Sequence, residues 1–166
     1  MKGTYTLLLF CKTPFRATIG QLGTADVEQG FYAYTGSALG DGAQSLERRL
    51  ERHTRRSKKV YWHIDYLTSD PRCTIKAVVF LQSRRRLECV INQAVAKDLN
   101  ATPIIPGAGS SDCKCQGHLL KVHRRNRKCE VLRLLQKVYK QFGTPRTTKP
   151  PLASYDRERP YSLRRA

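Results

Sequence analysis

The chain has 166 residues, with 31 Lys and Arg against 13 Asp and Glu and a formal net charge of +18 at pH 7. This length allows one domain with an extension but not two full domains. So large a positive charge favours a polyanionic partner, nucleic acid before an anionic membrane surface. No apolar run reaches the roughly 18 residues of a membrane span, and the N-terminus is not typical of a secretory signal. We therefore expect a cytoplasmic protein that does not enter the membrane.

The first part of the chain predicts strands. Residues 4–11 (TYTLLLFC) are β-branched and apolar, as in a strand that is buried on both faces. Residues 17–23 predict a short strand, and residues 30–37 (GFYAYTGS) predict another, with Tyr32 and Tyr34 on the same face. Such a series suggests an antiparallel meander in which Tyr32 has a structural role.

A helix is predicted to begin after Ser45, a residue type suited to the N-cap. On this helix Leu46, Arg49, Leu50 and His53 fall at positions i, i+3, i+4 and i+7. The arginine and the histidine therefore share the face on which the leucines pack inward. Polar groups on an inward face are the first indication of a site.

The next elements complete an α/β pattern. Residues 60–67 (VYWHIDYL) alternate and predict a strand or the extended segment that leads to one, and residues 74–82 (TIKAVVFLQ) predict a clearer strand. Residues 87–99 predict a helix with Glu88 in its first turn, and residues 102–122 predict a loop that ends in a small hairpin. The predicted fold class is α/β, a small mixed or antiparallel central sheet flanked by helices, followed by a basic C-terminal helix and tail.

The C-terminal third carries most of the positive charge. Residues 113–166 hold 15 Lys and Arg against 3 Asp and Glu, and within them residues 129–142 predict an amphipathic helix. From Gly143 the composition cannot bury a core. The predicted organisation is a domain over residues 1–122, a basic helical extension over 123–142 and a basic tail without fixed structure over 143–166.

Several motifs occur in a defined order along the chain. Gly3-Thr4-Tyr5 lies on the first strand, Tyr34-Thr35-Gly36-Ser37 on a later one, ERRLERH on the next helix and Glu88 at the start of another helix. This set resembles the GIY-YIG endonuclease superfamily. The runs GFYAYTGSALG, RRLERH, WHIDYL and GSSDCKC most resemble its small Uri-type branch. The resemblance covers roughly residues 3–122.

The resemblance implies a set of site residues and a metal cofactor. Glu88 is implied as the ligand of one Mg²⁺ or Mn²⁺ ion, which suits a hard carboxylate oxygen. The asparagine that often follows this glutamate has no clear equivalent, since neither Asn92 nor Asn100 is convincing. The implied catalytic residues are Tyr5, Tyr34, Arg49, His53, His63 and Glu88. The candidates for contacts to phosphate or substrate are Gly36, Ser37, Arg52, Arg124 and Arg125.

The identity of the general base stays open at this stage. A free tyrosine titrates near about 10, so Tyr5 or Tyr34 would need a nearby cation to lower its pKa. Arg49, the metal or a protonated His53 could supply that charge. We favour Tyr5 as the base, with Tyr34 positioning water or phosphate. Both His53 and His63 are candidates for proton relays or phosphate contacts.

Six cysteines raise the question of disulfides or metal. Without a secretory signal we expect all six thiols to be reduced. The run C-x-C-x-x-H of Cys113, Cys115 and His118 supplies three ligands, whereas structural zinc takes four. The fourth would have to be Cys89, Cys129 or His123. We favour buried thiols that brace a loop over a structural zinc site.

The resemblance implies a divalent-metal-dependent endonuclease that hydrolyses phosphodiester bonds. DNA is favoured over RNA, in the repair or processing of DNA structures. One alternative is a non-catalytic nucleic-acid-binding module on the same scaffold, and another is an adaptor that binds a protein partner in a repair complex. The presence of the tyrosine, arginine, histidine and glutamate positions favours the enzyme over both.

Overall fold

The architecture is that of a computed structural model, which describes residues 1–123 and 127–150. Eight strands and four α-helices follow one another along these residues, with short 3₁₀ turns at Gly20–Leu22 and Gly42–Gln44. The elements are β1 (Gly3–Cys11), β2 (Phe15–Thr18), β3 (Thr24–Val27), β4 (Gly30–Ala38), α1 (Leu46–Thr54), α2 (Asp65–Thr68), β5 (Cys73–Gln82), α3 (Glu88–Asp98), β6 (Ala101–Pro103), β7 (Leu119–Val122), α4 (Lys128–Lys140) and β8 (Arg146–Thr148).

A six-stranded antiparallel sheet forms the centre of the fold. Its strand order is β6-β7-β4-β1-β5-β8, and β2 and β3 form a separate hairpin. Strand β1 pairs with β4 and β5 along its whole length. Its side chains lie in a core cluster on each face of the sheet, which explains why its sequence is apolar on both faces. The predicted α/β class is confirmed, with an antiparallel sheet. The prediction of a small hairpin at the end of the loop was wrong, since β7 pairs with β6 on the other side of the loop.

The two faces of the sheet bury different residues. Tyr5 and Leu7 of β1 belong to a cluster with Leu46 and Leu50 of α1 and with the α2 region. Leu8 of β1 belongs to a second cluster with α3 and α4 on the opposite face. Because successive strand residues point to opposite faces, the side chains of the odd-numbered β1 residues lie on the face that α1 covers. Tyr5, Arg49 and His53 are therefore on one side of the sheet.

The prediction of a strand over residues 60–67 was wrong. Asp65–Thr68 form the short helix α2, and residues 60–64 form no strand. The Asp65 carboxylate accepts hydrogen bonds from the backbone N–H groups of Tyr61 and Trp62 at 3.0 and 2.9 Å. These bonds turn the chain into the helix, which polarity alternation alone does not reveal. The strand predicted over residues 17–23 was also misplaced, since β2 ends at Thr18.

Helix α4 is part of the core, which corrects the prediction of a solvated extension over residues 123–142. Val131, Leu135 and Val138 on its inner side are fully buried against the sheet face that also holds α3. The Tyr139 hydroxyl lies 2.8 Å from Thr6 Oγ1 of β1, which binds the end of the helix to the central strand. The charge of this segment lies on its outer side, so a basic composition did not indicate separation from the domain.

We expect Leu135→Ala to lower the free energy of unfolding by about 2–5 kcal/mol, because it leaves a cavity in a fully buried position. Lys137→Ala on the exposed side of α4 is the matched control and should change stability by no more than about 0.5 kcal/mol. Chemical denaturation of both variants measures the difference. Equal stability of the two variants would show that α4 is an independent extension.

The tail prediction is corrected in its first residues. Arg146–Thr148 form β8, an edge strand that pairs with Val78–Phe80 of β5. Backbone hydrogen bonds to β5 thus hold residues 146–148 in place, although the composition of this segment cannot form a core. The remaining part of the predicted tail, residues 151–166, lies outside the described residues, as do Arg124 and Arg125. No helix within the described ranges is both long and apolar enough to cross a membrane.

The expectation of six reduced thiols was wrong for one pair. Cys11 and Cys73 form a disulfide, with their Cα atoms 4.1 Å apart. They are direct partners at the ends of β1 and β5 in the antiparallel register. Neighbouring strands bring their Cα atoms within the range that a disulfide can span, and the 62-residue separation in sequence hides this proximity. Cys89, Cys113, Cys115 and Cys129 are free.

Candidate functional site

Tyr5 and Tyr34, the tyrosines of the two motifs on β1 and β4, lie close together on the sheet face that α1 covers. Tyr5 on β1 is 1% exposed and Tyr34 on β4 is 4% exposed. The β1–β4 register pairs Tyr5 with Gly36, and a Cβ atom on Gly36 would come within 2.7 Å of the Tyr5 hydroxyl. Glycine at this position therefore allows the Tyr5 ring to lie across β4. The motif Y-x-G is explained by this close approach.

A buried relay connects Tyr5 to helix α1 and to the start of α2. The Tyr5 hydroxyl lies 2.8 Å from His53 Nε2, within hydrogen-bond distance. His53 Nδ1 lies 3.8 Å from Asp65 Oδ1, beyond a hydrogen bond but within ion-pair distance. Both His53 and Asp65 have no exposed surface. His53 Nδ1 has no hydrogen-bond partner among the described residues. In the tautomer that carries the proton on Nδ1, facing Asp65, Nε2 is the acceptor for the Tyr5 hydroxyl.

Asp65 is held by two cationic side chains as well as by the backbone. Arg52 donates to both carboxylate oxygens, at 3.0 and 2.8 Å. Lys58 Nζ lies 3.6 Å from Asp65 Oδ1 and donates to Thr68 Oγ1 at 2.7 Å. Asp65 therefore stays ionised in the interior and fixes the position of the chain around His53.

The environment decides the protonation of these groups at neutral pH. Burial raises the pKa of Asp65, but the nearby His53 imidazole, the Arg52 guanidinium and the backbone N–H groups of Trp62 and Tyr61 outweigh it and hold the pKa well below its ordinary value. Burial lowers the pKa of His53 despite the nearby Asp65 carboxylate, so the imidazole is neutral. Burial and Tyr34 raise the pKa of Tyr5, and Arg49 opposes them without reversing the shift. Tyr5 is thus a phenol, not a resident phenolate.

Arg49 is a half-buried cation beside this site. Its guanidinium carbon is 4.5 Å from the centre of the Trp62 ring, and Nη1 donates to the Ser37 carbonyl at 2.5 Å. In the part of the chain that the structure describes, Arg49 has no carboxylate at ion-pair distance, whereas Arg52 is paired with Asp65. Arg49 is therefore a positioned cation that an anion can approach.

His63 and the loop after β6 form another wall of the site. His63 Nδ1 accepts a hydrogen bond from the Gly109 N–H at 3.0 Å. Gly109 has φ of 78°, and a Cβ atom there would come within 2.7 Å of the Tyr34 ring. Only glycine fits this left-handed position so close to an aromatic ring. His63 thus touches the loop that covers Tyr34.

Glu88 opens α3 and is only 4% exposed. Its Oε1 accepts a hydrogen bond from Arg86 Nε at 2.9 Å, and Arg86 also pairs with Asp112. Its Oε2 is buried and has no hydrogen-bond partner within residues 1–123 and 127–150. The charge of Glu88 contributes to the raised pKa of Tyr34, although burial of the phenol is the main cause. A buried carboxylate oxygen without a donor is suited to a cation.

Some of the predicted site residues lie together, and others make different contacts. Tyr5, Tyr34, Gly36, Arg49 and His53 lie close together, and their catalytic roles stay predictions. Ser37 joins them through its carbonyl oxygen. Arg52 was predicted to contact phosphate. Its guanidinium instead donates hydrogen bonds to the Asp65 carboxylate and to the Lys59 carbonyl.

Sequence reasoning missed Asp65 and Trp62 as members of the site. Both lie in the segment WHIDYL, which was interpreted as a strand with alternating faces. The only signal was an acidic residue in an otherwise aromatic and apolar run, where a buried carboxylate must find donors. Asp65 finds them in Arg52 and in two backbone N–H groups.

The Cys/His motif forms a separate cluster close to Glu88. Cys89 joins Cys113, Cys115 and His118, and their possible ligand atoms all lie within 4.8 Å of one another. Cys129 is exposed. His123 lies within hydrogen-bond distance of Thr102 instead. Of the three proposed fourth ligands, the structure therefore selects Cys89, and this cluster can hold a metal ion.

Comparisons with known proteins give one match. A family model described as Domain of unknown function DUF123 matches residues 4–142. The matched range includes Tyr5, Tyr34, α1, the Cys/His cluster and α4. No curated protein and no solved structure matches the chain.

Proposed function

The chain belongs to the family described as Domain of unknown function DUF123, and from its site we propose that it is a divalent-metal-dependent endonuclease of the GIY-YIG type. DNA is the favoured substrate, and repair or processing of DNA structures is the proposed setting. One observation carries the proposal: the unpaired Arg49 guanidinium lies beside the buried Tyr5–His53–Asp65 relay. A cytoplasmic location and a protein partner in a repair complex stay predictions from the sequence.

Arg49 binds the scissile phosphate in this mechanism. A guanidinium is always charged and its planar fork matches two phosphate oxygens. The Trp62 ring and the Ser37 carbonyl already hold it in one orientation, so little side-chain freedom is lost on binding. The same contacts strengthen as negative charge accumulates on the phosphate in the transition state.

The buried relay accepts the proton of the attacking water. Tyr5 takes this proton at its hydroxyl oxygen and passes its own proton to His53 Nε2, 2.8 Å away. Asp65 stabilises the resulting imidazolium from 3.8 Å, as an oriented carboxylate does for other histidine bases. This arrangement avoids a free phenolate, which the raised pKa of Tyr5 disfavours. In this mechanism the proton ends on His53, whereas the sequence favoured Tyr5 as the base.

Glu88 is the proposed ligand of a Mg²⁺ or Mn²⁺ ion. Its buried Oε2 without a donor fits a hard cation. When bound, such an ion stabilises charge on the leaving oxygen. Arg86 orients the Glu88 carboxylate through Oε1, which leaves Oε2 for the ion. The proposed role of Tyr34 is that of a neutral phenol that donates a hydrogen bond to water or phosphate.

A non-catalytic nucleic-acid-binding module is the second candidate function. An open groove of about 770 Å³ lies between the start of α3 and the end of α4, and Arg85, Arg86 and Arg146 line it. Arginines along a groove bind a phosphate backbone without reading sequence. The groove supports binding but supplies no proton acceptor, so it does not by itself favour cleavage.

The Glu88→Gln variant tests the proposed activity. We expect the wild type to cut labelled single-stranded, duplex, flapped or branched DNA with Mg²⁺ or Mn²⁺ but not with EDTA. Glu88→Gln should lower the rate by at least about 10²-fold, because a neutral amide is a poor metal ligand. Glu28→Gln, an exposed change, should keep the wild-type rate.

Binding measured on the same DNAs separates the two candidate functions. Tight, salt-dependent binding without cutting under any metal condition would support the binding module. Cutting that persists in Glu88→Gln would contradict the assigned metal ligand.

A further inference from the structure

Three thiols and one imidazole converge beside the proposed nuclease site. Cys89 lies in the first turn of α3, Cys113 and Cys115 lie in the loop after β6, and His118 directly precedes β7. Their potential ligand atoms are all within 4.8 Å of one another, and Cys113 Sγ lies 3.6 Å from His118 Nε2. Residues from three parts of the chain thus meet at one point.

The spacing matches the coordination sphere of a single tetrahedral ion. Bonds of about 2.3 Å to sulfur and about 2.0–2.1 Å to nitrogen place two sulfurs about 3.8 Å apart and a sulfur and a nitrogen about 3.6 Å apart. The distance between Cys113 Sγ and His118 Nε2 is 3.6 Å. The other ligand atoms lie within 4.8 Å of one another, so shifts of at most about 1 Å would bring them to tetrahedral spacing.

The ligand types select the metal. We propose that Cys89, Cys113, Cys115 and His118 bind one structural zinc ion. Soft thiolates with an imidazole in tetrahedral array favour zinc over Mg²⁺ or Mn²⁺, which prefer oxygen ligands. Four protein ligands leave no position for a water or a substrate, so the ion is structural rather than catalytic. The site is chemically distinct from the Glu88 carboxylate.

The ion joins a long loop to helix α3. Residues 104–118 contain turns but no strand or α-helix, and Asn92 of α3 donates to the Gly117 carbonyl at 2.9 Å. The same loop donates the Gly109 N–H to His63, and its His118 carbonyl accepts from the Thr35 N–H at 3.1 Å. Zinc therefore fixes the wall that covers Tyr34.

A consequence for Glu88 follows from its position next to Cys89. A zinc ligand in the first turn of α3 fixes the backbone from which Glu88 projects. This second part of the inference rests on the proposed nuclease function, whereas zinc binding itself does not.

Metal analysis of the full-length protein tests the site without reference to activity. Protein purified without added metal should contain about one equivalent of zinc by elemental analysis. Replacement by Co²⁺ should give the visible bands of tetrahedral cobalt with thiolate charge transfer. Cys115→Ser should lose most of the bound metal. Cys129→Ser, the matched control at an exposed free cysteine, should retain it.

Each outcome decides the assignment. Zinc below about a tenth of an equivalent, or a disulfide between two of the three cluster thiols, would overturn it. Zinc that stays bound in Cys115→Ser would place the ion elsewhere. Hydrogen exchange measured before and after zinc removal should show faster exchange in residues 104–118 and unchanged exchange in α4. A protein that binds zinc but cuts no DNA would reject the nuclease and keep the zinc site.

Discussion

Arg49→Ala is expected to reduce the rate of DNA cleavage by about 10²–10⁴-fold, the range seen when a positioned donor to a transition-state anion is lost. Arg49 is a half-buried cation beside Tyr5 and has no carboxylate at ion-pair distance among the described residues. Binding of DNA should weaken far less, because many other basic residues contribute to it. Single-turnover cleavage with saturating enzyme measures the chemical step apart from binding.

Two further variants separate charge from geometry at this position. Arg49→Lys keeps the charge but lacks the planar fork, so it should recover only a small part of the lost rate. Arg48→Ala is the matched control, because Arg48 is the preceding residue of α1, is exposed and pairs with Glu51. A cleavage rate in Arg49→Ala within about threefold of that of Arg48→Ala would remove Arg49 from the transition state.

Asp65→Ala is expected to lower the free energy of unfolding by about 3–5 kcal/mol, because it leaves buried charges and donors without their partner. Arg52 loses a bidentate contact, and the N–H groups of Tyr61 and Trp62 lose their acceptor. Asp26→Ala is the control, since the Asp26–Arg16 pair is exposed and contributes at most about 1 kcal/mol. Urea denaturation at pH 7 measures both variants.

The same residue predicts the direction of acid destabilisation. The pKa of Asp65 is lower in the folded chain than its unfolded value of about 3.9. Ionised Asp65 therefore contributes its full stabilisation above about pH 5. This contribution decreases once the pH falls below the unfolded pKa and is lost as the pH falls through the lower folded pKa. The stability difference between the wild type and Asp65→Asn should be constant near neutral pH and shrink below about pH 4. A difference that grows on acidification would show that Asp65 is not ionised in the folded protein.

Local patterns predicted much of the fold correctly. The apolar run of β1, the tyrosine alternation of β4 and the run in β5 gave the central strands, because side-chain periodicity follows directly from backbone geometry. The spacing of Leu46, Arg49, Leu50 and His53 also predicted which face of α1 turns inward. The Ser45 cap was correct, as its side chain accepts from the Arg48 N–H.

The sequence pattern led to wrong predictions for helix α4 and for residues 60–67. The basic charge of α4 suggested a solvated arm, yet its inner side is buried and Tyr139 contacts Thr6 of the central strand. Polarity alternation in residues 60–67 suggested a strand, yet the Asp65 carboxylate turns the chain instead. The contact of Tyr139 joins residues that are 133 positions apart, whereas the contact of Asp65 is local, a side-chain acceptor for nearby N–H groups that polarity alternation does not reveal.

The sequence by itself determined the fold class, the inward position of Arg49 and His53, and the order of the motifs around Tyr5, Tyr34 and Glu88. These follow from periodicity and residue type, which are local properties. Only the tertiary structure decided that Asp65 supports His53, that Cys89 completes the Cys/His cluster, and that Cys11 meets Cys73 across two strands. Each of these contacts joins residues far apart in the chain, so its existence depends on strand register and helix packing rather than on any single segment.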